Sequence, residues 1–433
     1  MRFFRNRGLG AMFLIMEGIV QATIFNLYNP FIQMFSKRMG GENVHTALLN
    51  ALPPLAAAFT LIPFGILIER INRKKQTILV LLGAISLFFA AVSFVPAIPG
   101  SQKVMLFVVL IGLMNCPFSL YVATWQSFFA ENFKGSFANR IFTLRSKYST
   151  LFGLITVLAA GLALTNIPRS DAHRISFYRG FYVICFALTL LQIFLFSKVK
   201  ARHAPNSAGA GGTAQAAGAL KPLHIISKGN FAGILSNKPF IIFCICGFAF
   251  HFFWQMAWPV MFIYNTDYAR LNEFQLSMIN FLAGLSQFLS FSFWSKFVEK
   301  KGSSIAIVIG TAGMAATPLA FTTLISYEMI LLVNVVSGIF LAGFTLSLFL
   351  NLLEILPQDK KTVYISIFNT ITSITGFVAP LVGIRIYELT NVYFMLGLSG
   401  ILRFAATGLY LLKWVGEKRQ ARREPGVGNK LTG

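Results

Sequence analysis

The stretch GILIERINRKK, residues 65–75, joins a long apolar run to a dense group of charges. Between Glu69 and Lys75 there are five charged side chains, one acid and four bases. Side chains of this kind avoid the hydrocarbon layer of a membrane, because each costs on the order of 3 kcal/mol at its centre. The stretch therefore indicates the end of one membrane-spanning segment and the start of the next.

The composition is typical of a helical membrane protein. Of the 433 residues, 56% are hydrophobic and 12% are charged, whereas a soluble domain carries about 25% charged residues. Apolar runs of about 20 residues, the length that a helix needs to cross a bilayer, recur along the chain. We predict an all-α polytopic membrane protein with twelve transmembrane helices, at residues 10–35, 46–68, 76–97, 104–129, 148–167, 176–197, 239–264, 274–297, 304–325, 328–353, 363–386 and 391–414.

The net charge of +23 indicates membrane topology rather than a nucleic-acid partner. If the N-terminus is cytoplasmic, most of the 37 lysines and arginines fall in the N-terminal segment, the even-numbered loops and the C-terminal tail. Cytoplasmic loops are enriched in these residues, so both termini are predicted to be cytoplasmic. The same loops favour contact with anionic lipid. The expected location is a bacterial cytoplasmic (inner) membrane.

The predicted spans divide into two halves of six. Between them lies the long polar segment that contains NSAGAGGTAQAAGALKP, a composition typical of a flexible linker. One constant shift aligns NALPPL with NFLAGL and also Glu69 with Glu299, which indicates an internal duplication. We predict an N-terminal six-helix bundle (1–197), a cytoplasmic linker (198–238), a C-terminal six-helix bundle (239–414) and a basic cytoplasmic tail (415–433).

GILIERINRKK is similar to the signature loop between the second and third spans of the major facilitator superfamily, G-x-L-x-D-R-x-G-R-K. The matching residues are Gly65, Leu67, Arg70, Arg73 and Lys74. Glu69 keeps the acid in a longer form, and Asn72 replaces a glycine but tolerates the same left-handed turn. The resemblance extends over residues 1 to about 414. It implies two six-helix bundles around a central cavity.

The resemblance also implies a role for the charged loop. In the family, such a cluster holds the two bundles in the outward-open state and breaks when they rock. The acid would face the positive N-terminus of a neighbouring helix. The predicted gating latch consists of Gly65, Glu69, Arg70, Arg73, Lys74 and, in the second half, Glu299. The alternative is that these residues are only positive-inside charges and a helix cap.

Glu17 is the acid that lies well inside a predicted span. A charge at that depth costs at least ~2.5 kcal/mol, so Glu17 should face a cavity or a partner, or be protonated. Gln21 and Tyr28 share its side of the helix and extend a polar stripe. We predict that Glu17 carries a proton. The alternative is a carboxylate that is fixed permanently to a basic partner.

Span seven contains FAFHFFWQMAWPVMFIY, residues 248–264, with an aromatic and polar face. That face consists of His251, Trp254, Gln255 and Trp258, at helical spacing. Two indoles, an amide and an imidazole can stack on an organic substrate and form hydrogen bonds with it. We predict a substrate-cavity surface, with Pro259 as a kink beside it. The alternative is aromatic packing with an interfacial tryptophan belt.

Other polar residues in the spans are weaker candidates for the substrate cavity. They are Asn26, Asn29, Asn115, Gln126 and Asn334. Each can equally form a hydrogen bond between helices, and for each this is the favoured interpretation. Arg403, near the middle of span twelve, is expected to brace its own bundle rather than to contact substrate.

The predicted function is secondary active transport of a small organic solute by alternating access. The aromatic span seven and the few charged sites favour a proton-coupled exporter of amphipathic compounds. One alternative is a carrier with narrow specificity for a metabolite or a sugar, or a uniporter. An alternative of another class is a membrane sensor or scaffold that transports nothing.

Motifs of other function classes are missing from the sequence. It has no P-loop for ATP hydrolysis and no H-x-x-x-D or H-E-x-x-H pair for an enzyme that acts on lipid. The G-P-x-x-G-G segment of antiporters is absent from span five. The four cysteines lie in apolar spans and are expected to be buried thiols. We therefore expect no enzymatic activity, metal or cofactor. We also predict a monomer whose partners are its substrate, protons and membrane lipid.

Overall fold

The computed structural model describes residues 2–70, 73–100, 102–133, 135–199, 237–323, 326–356 and 361–423. Over these ranges the regular structure is helical. The α-helices, in chain order, are α1 (Arg2–Tyr28), α2 (Ile32–Arg38), α3 (Asn43–Arg70), α4 (Lys74–Phe94), α5 (Gln102–Asn132), α6 (Gly135–Asn166), α7 (Asp171–Ser197), α8 (Lys238–Gln255), α9 (Trp258–Ile263), α10 (Glu273–Lys301), α11 (Ser303–Ala320), α12 (Tyr327–Ile355), α13 (Lys361–Leu389) and α14 (Val392–Arg423).

The helices confirm the predicted all-α membrane fold. Within the described ranges, eleven helical stretches are long and apolar enough to cross a membrane. The remaining predicted span, 46–68, falls in α3, and the side chains of residues 61–70 lie outside the described part of the chain. Most of the predicted linker and the end of the predicted tail also lie outside it.

Several helices extend beyond the predicted spans. The fifth span was predicted at 148–167, but α6 begins at Gly135. Hydropathy detects only the apolar part of a helix, and the polar turns that continue it into the aqueous phase carry no such signal. Residues assigned to a loop from the sequence, such as Arg145, therefore lie on a helix.

Prolines interrupt two spans. α1 ends at Tyr28, a short 3-10 turn follows at Asn29–Phe31, and α2 then continues the span. α8 ends at Gln255, and α9 begins at Trp258 with Pro259 in its first turn. Proline has no backbone N–H and clashes with the preceding turn, so each break occurs where the chain loses a helical hydrogen bond.

The chain divides into two compact units. The first comprises Met1–Pro222 and Asn272–Phe281, and the second comprises Leu223–Leu271 and Leu282–Gly433. In the first unit, α1 packs on α6 and α7, and α4 packs on α5 and α7. In the second, α8 packs on α13 and α14, and α11 packs on α12 and α14. Corresponding helices therefore have corresponding neighbours, in agreement with the duplication inferred from the sequence.

A cluster of ion pairs explains why the first turns of α10 belong to the first unit. Glu273 is buried, and its carboxylate lies 2.9 Å from Arg38 and 3.7 Å from Arg174. The carboxylate of Asp171 lies 3.3 Å from Arg38 and 3.1 Å from Arg174. A buried carboxylate requires such partners, because an unpaired charge in the interior is strongly destabilising.

Candidate functional site

The first candidate site surrounds Glu17, which is fully buried on α1. The hydroxyl of Tyr121 on α5 donates to Oε1 of Glu17 at 2.5 Å, and Nε2 of Gln192 on α7 donates to the same atom at 2.8 Å. Nη2 of Arg145 on α6 lies 3.2 Å from Oε2. Three helices therefore supply donors to one carboxylate, which satisfies the requirement that a buried charge be paired and hydrogen-bonded.

Arg145 connects the carboxylate to a second set of partners. Its Nη2 donates to Oε1 of Gln21 at 2.6 Å, and its guanidinium lies 4.0 Å from the ring centroid of Trp125, in a cation–π contact. A side chain at Gly18 would collide with Arg145, so the glycine leaves the space in which the arginine crosses α1. The buried Nε of Arg145 has no hydrogen-bond partner among the described residues.

A small cavity adjoins this network between α1, α4, α5 and α7. Its volume is about 20 Å³, enough for one water molecule. Two of the groups that line it, Tyr121 and Gln192, also bond to Glu17. The complete lining consists of Gln21, Ile24, Phe25, Tyr28, Leu82, Ile85, Phe89, Met114, Phe118, Tyr121, Thr189 and Gln192.

The predicted polar stripe of α1 borders this cavity only in part. Gln21 and Tyr28 line it, as does the apolar Ile24 between them. Tyr28 is buried and packs edge-to-face on Phe89, with ring centroids 5.2 Å apart. The stripe is therefore turned into the first unit, where it meets aromatic side chains as well as Glu17.

The second candidate site is the face of span seven, at the break between α8 and α9. The ring of Trp254 contacts the rings of Trp258 and His251, with centroids 5.2 Å and 5.9 Å apart. His251 is buried, and its Nδ1 lies 2.8 Å from the carbonyl oxygen of Gly247, to which it donates as the Nδ1–H tautomer. Gln255 is buried, and its Oε1 has no hydrogen-bond partner among the described residues. His251 and Trp254 also pack against the buried ring of Phe344. The predicted residues thus lie along one helix face that is partly packed into the core and that includes one buried acceptor without a described partner.

The weaker candidates mostly bond within their own helices. The side-chain amides of Asn26, Asn115 and Asn334 each donate to the carbonyl four residues earlier, at 2.8–2.9 Å. Such bonds use one donor of each amide and leave its oxygen free for another partner. Gln126 is exposed, and Asn29 is partly buried in the 3-10 turn after α1.

Part of the predicted latch lies outside the described residues. The last turns of α3 contain Gly65, Glu69 and Arg70, and the side chains of residues 61–70 are not described. Arg73 precedes α4, and Lys74 on its first turn pairs with Glu131 and donates to Oγ of Ser127 at 2.8 Å. The remaining predicted member, Glu299, is exposed near the end of α10. The described contacts of Lys74 therefore connect α4 to α5 within the first unit.

The sequence did not identify the partners of Glu17. Arg145 fell in a predicted loop, and Tyr121 and Gln192 are a tyrosine and a glutamine in apolar spans. These three residues are 128, 104 and 175 positions from Glu17 along the chain. The usable signal was the acid itself, since a carboxylate within a membrane span requires a partner.

The fold, its two units and the membrane-length helices define the class of the protein as a helical integral membrane protein. A family model described as Major Facilitator Superfamily matches residues 14–253 and 243–431. The chain belongs to the major facilitator superfamily. Its partners therefore include a small-molecule substrate. No curated protein matches the chain in sequence.

Solved structures show the same fold. A nucleoside transporter, NupG, has a TM-score of 0.70 and 13% identity, over 94% of this chain and 99% of its own. A bacterial homologue of the human lysosomal transporter Spinster has a TM-score of 0.66 and 14% identity, over 94% of this chain and 97% of its own. At these identities the likeness concerns the fold alone.

Proposed function

We propose that the chain is a proton-coupled secondary transporter of small organic solutes, and that Glu17 carries the proton. The observation that carries the proposal is that the buried Glu17 carboxylate is bonded to Tyr121, which lines a cavity large enough for a water molecule. The contact with Arg145 by itself fits a fixed ion pair equally well. Intramembrane acids are candidates for proton relays, because an isolated charge in that position is too costly to be incidental. Alternating access of the two units would expose the carboxylate to each side of the membrane in turn.

Protonation of Glu17 changes the position of Arg145. A neutral carboxyl group no longer attracts the guanidinium, which then keeps the Gln21 oxygen and the Trp125 ring as partners. The hydrogen bond from Tyr121 can reverse its direction, because a protonated carboxyl is a donor and a hydroxyl oxygen is an acceptor. Proton uptake is thus linked to movement of a side chain that connects α1, α5 and α6.

The cavity beside Tyr121 and Gln192 supports the proposal by offering a place for water close to the carboxylate. A water molecule there can form hydrogen bonds with polar groups of the lining and pass a proton to the network. Tyr121 separates this cavity from Glu17 and has a hydroxyl suited to relaying the proton. The rest of the lining is largely apolar. An apolar lining would limit the leakage of protons when no substrate is moved.

The substrate is proposed to bind against the face of span seven. Trp254 and Trp258 offer indole rings that can stack on an aromatic or heterocyclic compound. Oε1 of Gln255 is buried without a described partner, and it would accept one hydrogen bond from a donor on that compound when the face opens to substrate. This combination suits amphipathic ring compounds, and we propose that the protein exports them.

A carrier with narrow specificity for nucleosides is the second candidate function. A nucleobase can stack on an indole, and its exocyclic amine or a ribose hydroxyl would donate to the buried oxygen of Gln255 when the face opens to substrate. The fold shared with the nucleoside transporter NupG supports inclusion of this substrate class. We further propose that the protein acts as a monomer in a bacterial cytoplasmic membrane, in contact with anionic lipid.

The test is transport by the purified protein in proteoliposomes with an imposed proton gradient. Uptake of amphipathic dyes and of radiolabelled nucleosides is measured with the gradient present and after a protonophore has collapsed it. The variant Glu17→Gln removes the proton carrier. Glu388→Gln is the matched control, because its carboxylate also lies beside an arginine, Arg385, whose side chain is 70% exposed.

Gradient-dependent uptake that persists in Glu388→Gln and is abolished in Glu17→Gln supports the proposal. Uptake of dyes favours the exporter, and uptake of nucleosides alone favours the carrier with narrow specificity. If the wild-type protein moves compounds equally well without a gradient, it is a uniporter and the proposed coupling is wrong.

A further inference from the structure

Arg403 on α14 is an ionisable residue for which the proposed transport cycle has no role. Its side chain is 2% exposed, and its described hydrogen bonds all go to backbone carbonyls. Nε donates to Phe253 at 3.3 Å, Nη2 to Trp254 at 3.2 Å and Nη1 to Met314 at 3.1 Å. A guanidinium in this environment is normally paired with a carboxylate, so this arrangement requires an explanation.

The first two carbonyls are free because α8 ends there. The last four carbonyls of a helix have no partner within it, and α8 ends at Gln255. The carbonyl of Phe252 receives the N–H of Met256 at 3.1 Å. The next two carbonyls in sequence, Phe253 and Trp254, receive Arg403 instead.

The third carbonyl, that of Met314, lacks a helical donor because of a proline in α11. In a regular helix, the N–H of residue 318 would donate to the carbonyl of Met314. Residue 318 is proline, which lies inside α11 and has no N–H. Nη1 of Arg403 supplies the missing donor. One side chain thus replaces backbone hydrogen bonds that are absent from two separate spans.

The charge of Arg403 is compensated by the backbone at the end of α8. The C-terminus of a helix carries a partial negative charge, which favours a cation. Ser399, one turn before Arg403 on α14, also donates to the carbonyl of Phe253, at 2.8 Å. The end of α8 is therefore held by two side chains of α14.

The position of this helix end determines the position of the aromatic face. The carbonyl held by Arg403 belongs to Trp254 itself, whose ring contacts Trp258 across the break. From the other side, α13 approaches so closely that a side chain at Gly383 would collide with the carbonyl of Met256. The break thus lies between α13 and Arg403, with its backbone fixed on both sides.

We propose that Arg403 is a positioning residue for the substrate face of span seven, and that its guanidinium fixes the break between α8 and α9 so that Trp254 and Trp258 keep their edge-to-face contact. The proposal deepens the transport function, on which its consequence for substrate affinity rests. Its structural part, the arrangement of the two indoles, does not depend on transport.

The experiment uses full-length protein labelled with 5-fluorotryptophan in nanodiscs. The resonances of Trp254 and Trp258 are assigned with Trp→Phe variants, and spectra are compared for wild type, Arg403→Lys, Arg403→Met and the control Arg385→Met. We expect Arg403→Met to shift or broaden these two resonances, while the resonance of Trp125 in the first unit stays unchanged. Arg403→Lys keeps a cation at the helix end and should restore part of the wild-type spectrum, and Arg385→Met should leave it unaltered.

The transport readout separates positioning from general support of the fold. For a compound that the wild type moves, Arg403→Met should raise KM about tenfold and change the maximal rate much less, because only ground-state stacking is lost. Unchanged Trp254 and Trp258 resonances in Arg403→Met would overturn the proposal. Equal shifts of Trp294 and Trp414 would overturn it as well, since they indicate disruption of the whole second unit. If no compound is moved by the wild type, the proposed function fails, and the spectra still decide the role of Arg403.

Discussion

Glu17 in the first unit and Arg403 in the second are both buried charges, but they are held by different chemistry. The partners of Glu17 are side chains: a hydroxyl, an amide and a guanidinium. The partners of Arg403 are carbonyls of two interrupted helices. Under the proposed function, the carboxylate gains a proton, and the guanidinium of Arg145 is then no longer attracted to it. The carbonyls can leave Arg403 only if the backbone itself moves.

The difference suggests different roles for the two sites, proton coupling at Glu17 and a fixed geometry at Arg403. Proton coupling would require a charge whose protonation state changes during the transport cycle, and at Glu17 the balancing groups are side chains rather than backbone. A guanidinium stays charged at any physiological pH, so a site built on it holds one geometry. We therefore expect substitutions to affect the two sites differently, and this can be measured.

Removal of Arg145 should have the largest effect on stability. In Arg145→Met, Glu17 becomes a buried charge without its basic partner, and the loss expected is about 3–5 kcal/mol. Thermal unfolding in detergent measures this loss. The double variant Glu17→Gln/Arg145→Met should recover part of the stability, because it removes the uncompensated charge. No recovery in the double variant would contradict the account.

Removal of Arg403 should cost about 3 kcal/mol, because carbonyls at two helix interruptions lose their donor. The described partners of Arg403 are backbone carbonyls, so removing a second side chain should not recover the stability that Arg403→Met loses. Addition of Ser399→Ala, which removes the other side-chain donor to Phe253, should lower the stability further. Recovery of stability in that double variant would remove the distinction between the two sites.

Substitution of one glycine beside each site tests how easily the neighbouring atoms can move. Gly383→Ala should destabilise by about 2 kcal/mol, because the new methyl group meets the backbone carbonyl of Met256. Gly18→Ala should cost less, because the methyl group meets the side chain of Arg145, which can move. Chemical denaturation of both variants gives the comparison. A larger loss for Gly18→Ala would show that Arg145 is held as rigidly as the backbone at the break.

Tyr121→Phe should have a smaller effect on stability, about 1.5 kcal/mol. The bond that its hydroxyl donates to Glu17 and the bond that it accepts from Gln192 are lost, but Gln192 and Arg145 still contact the carboxylate. Its effect on gradient-driven transport should exceed its effect on stability if Tyr121 relays protons from the cavity. The initial rate of uptake at several external pH values is the measurement. A rate equal to that of the wild type at every pH would exclude this relay.

The smallest stability change is expected for Lys74→Met, which breaks an ion pair with the exposed Glu131. Such pairs contribute up to about 1 kcal/mol. If the pair belongs to a gating latch, the transport rate should change even though the unfolding temperature hardly does. Lys103→Met, outside the predicted latch, is a control for removal of one lysine. Identical transport rates in both variants would favour a topological role for the charged loop.

The fold was largely predictable because hydropathy and helix length reflect local sequence. The family was identified from one short loop, and the match of its model to both halves confirms it. The break in span seven could be anticipated from Pro259. The start of α6 was missed, because its first turns are polar and resemble a loop.

The interactions at the candidate sites were less predictable, because they depend on which helices meet. The sequence required that Glu17 have a partner or a cavity. Its three partners are distant along the chain, and they come close to Glu17 only when α1, α5, α6 and α7 pack together. Arg403 presented the same difficulty. Its partners are carbonyls, and every residue has one, so only the positions of Pro318 and the end of α8 distinguish the ones that need a donor.

The central claim, that Glu17 couples protons to transport, is tested most directly by comparing two modes of transport in the same proteoliposomes. Glu17→Gln should retain exchange of labelled for unlabelled substrate at equal concentrations, because exchange requires binding and alternating access but no net proton movement. It should lose accumulation driven by a proton gradient. If the variant accumulates substrate as the wild type does, or if it loses exchange as well, Glu17 is not the coupling residue and the account is wrong.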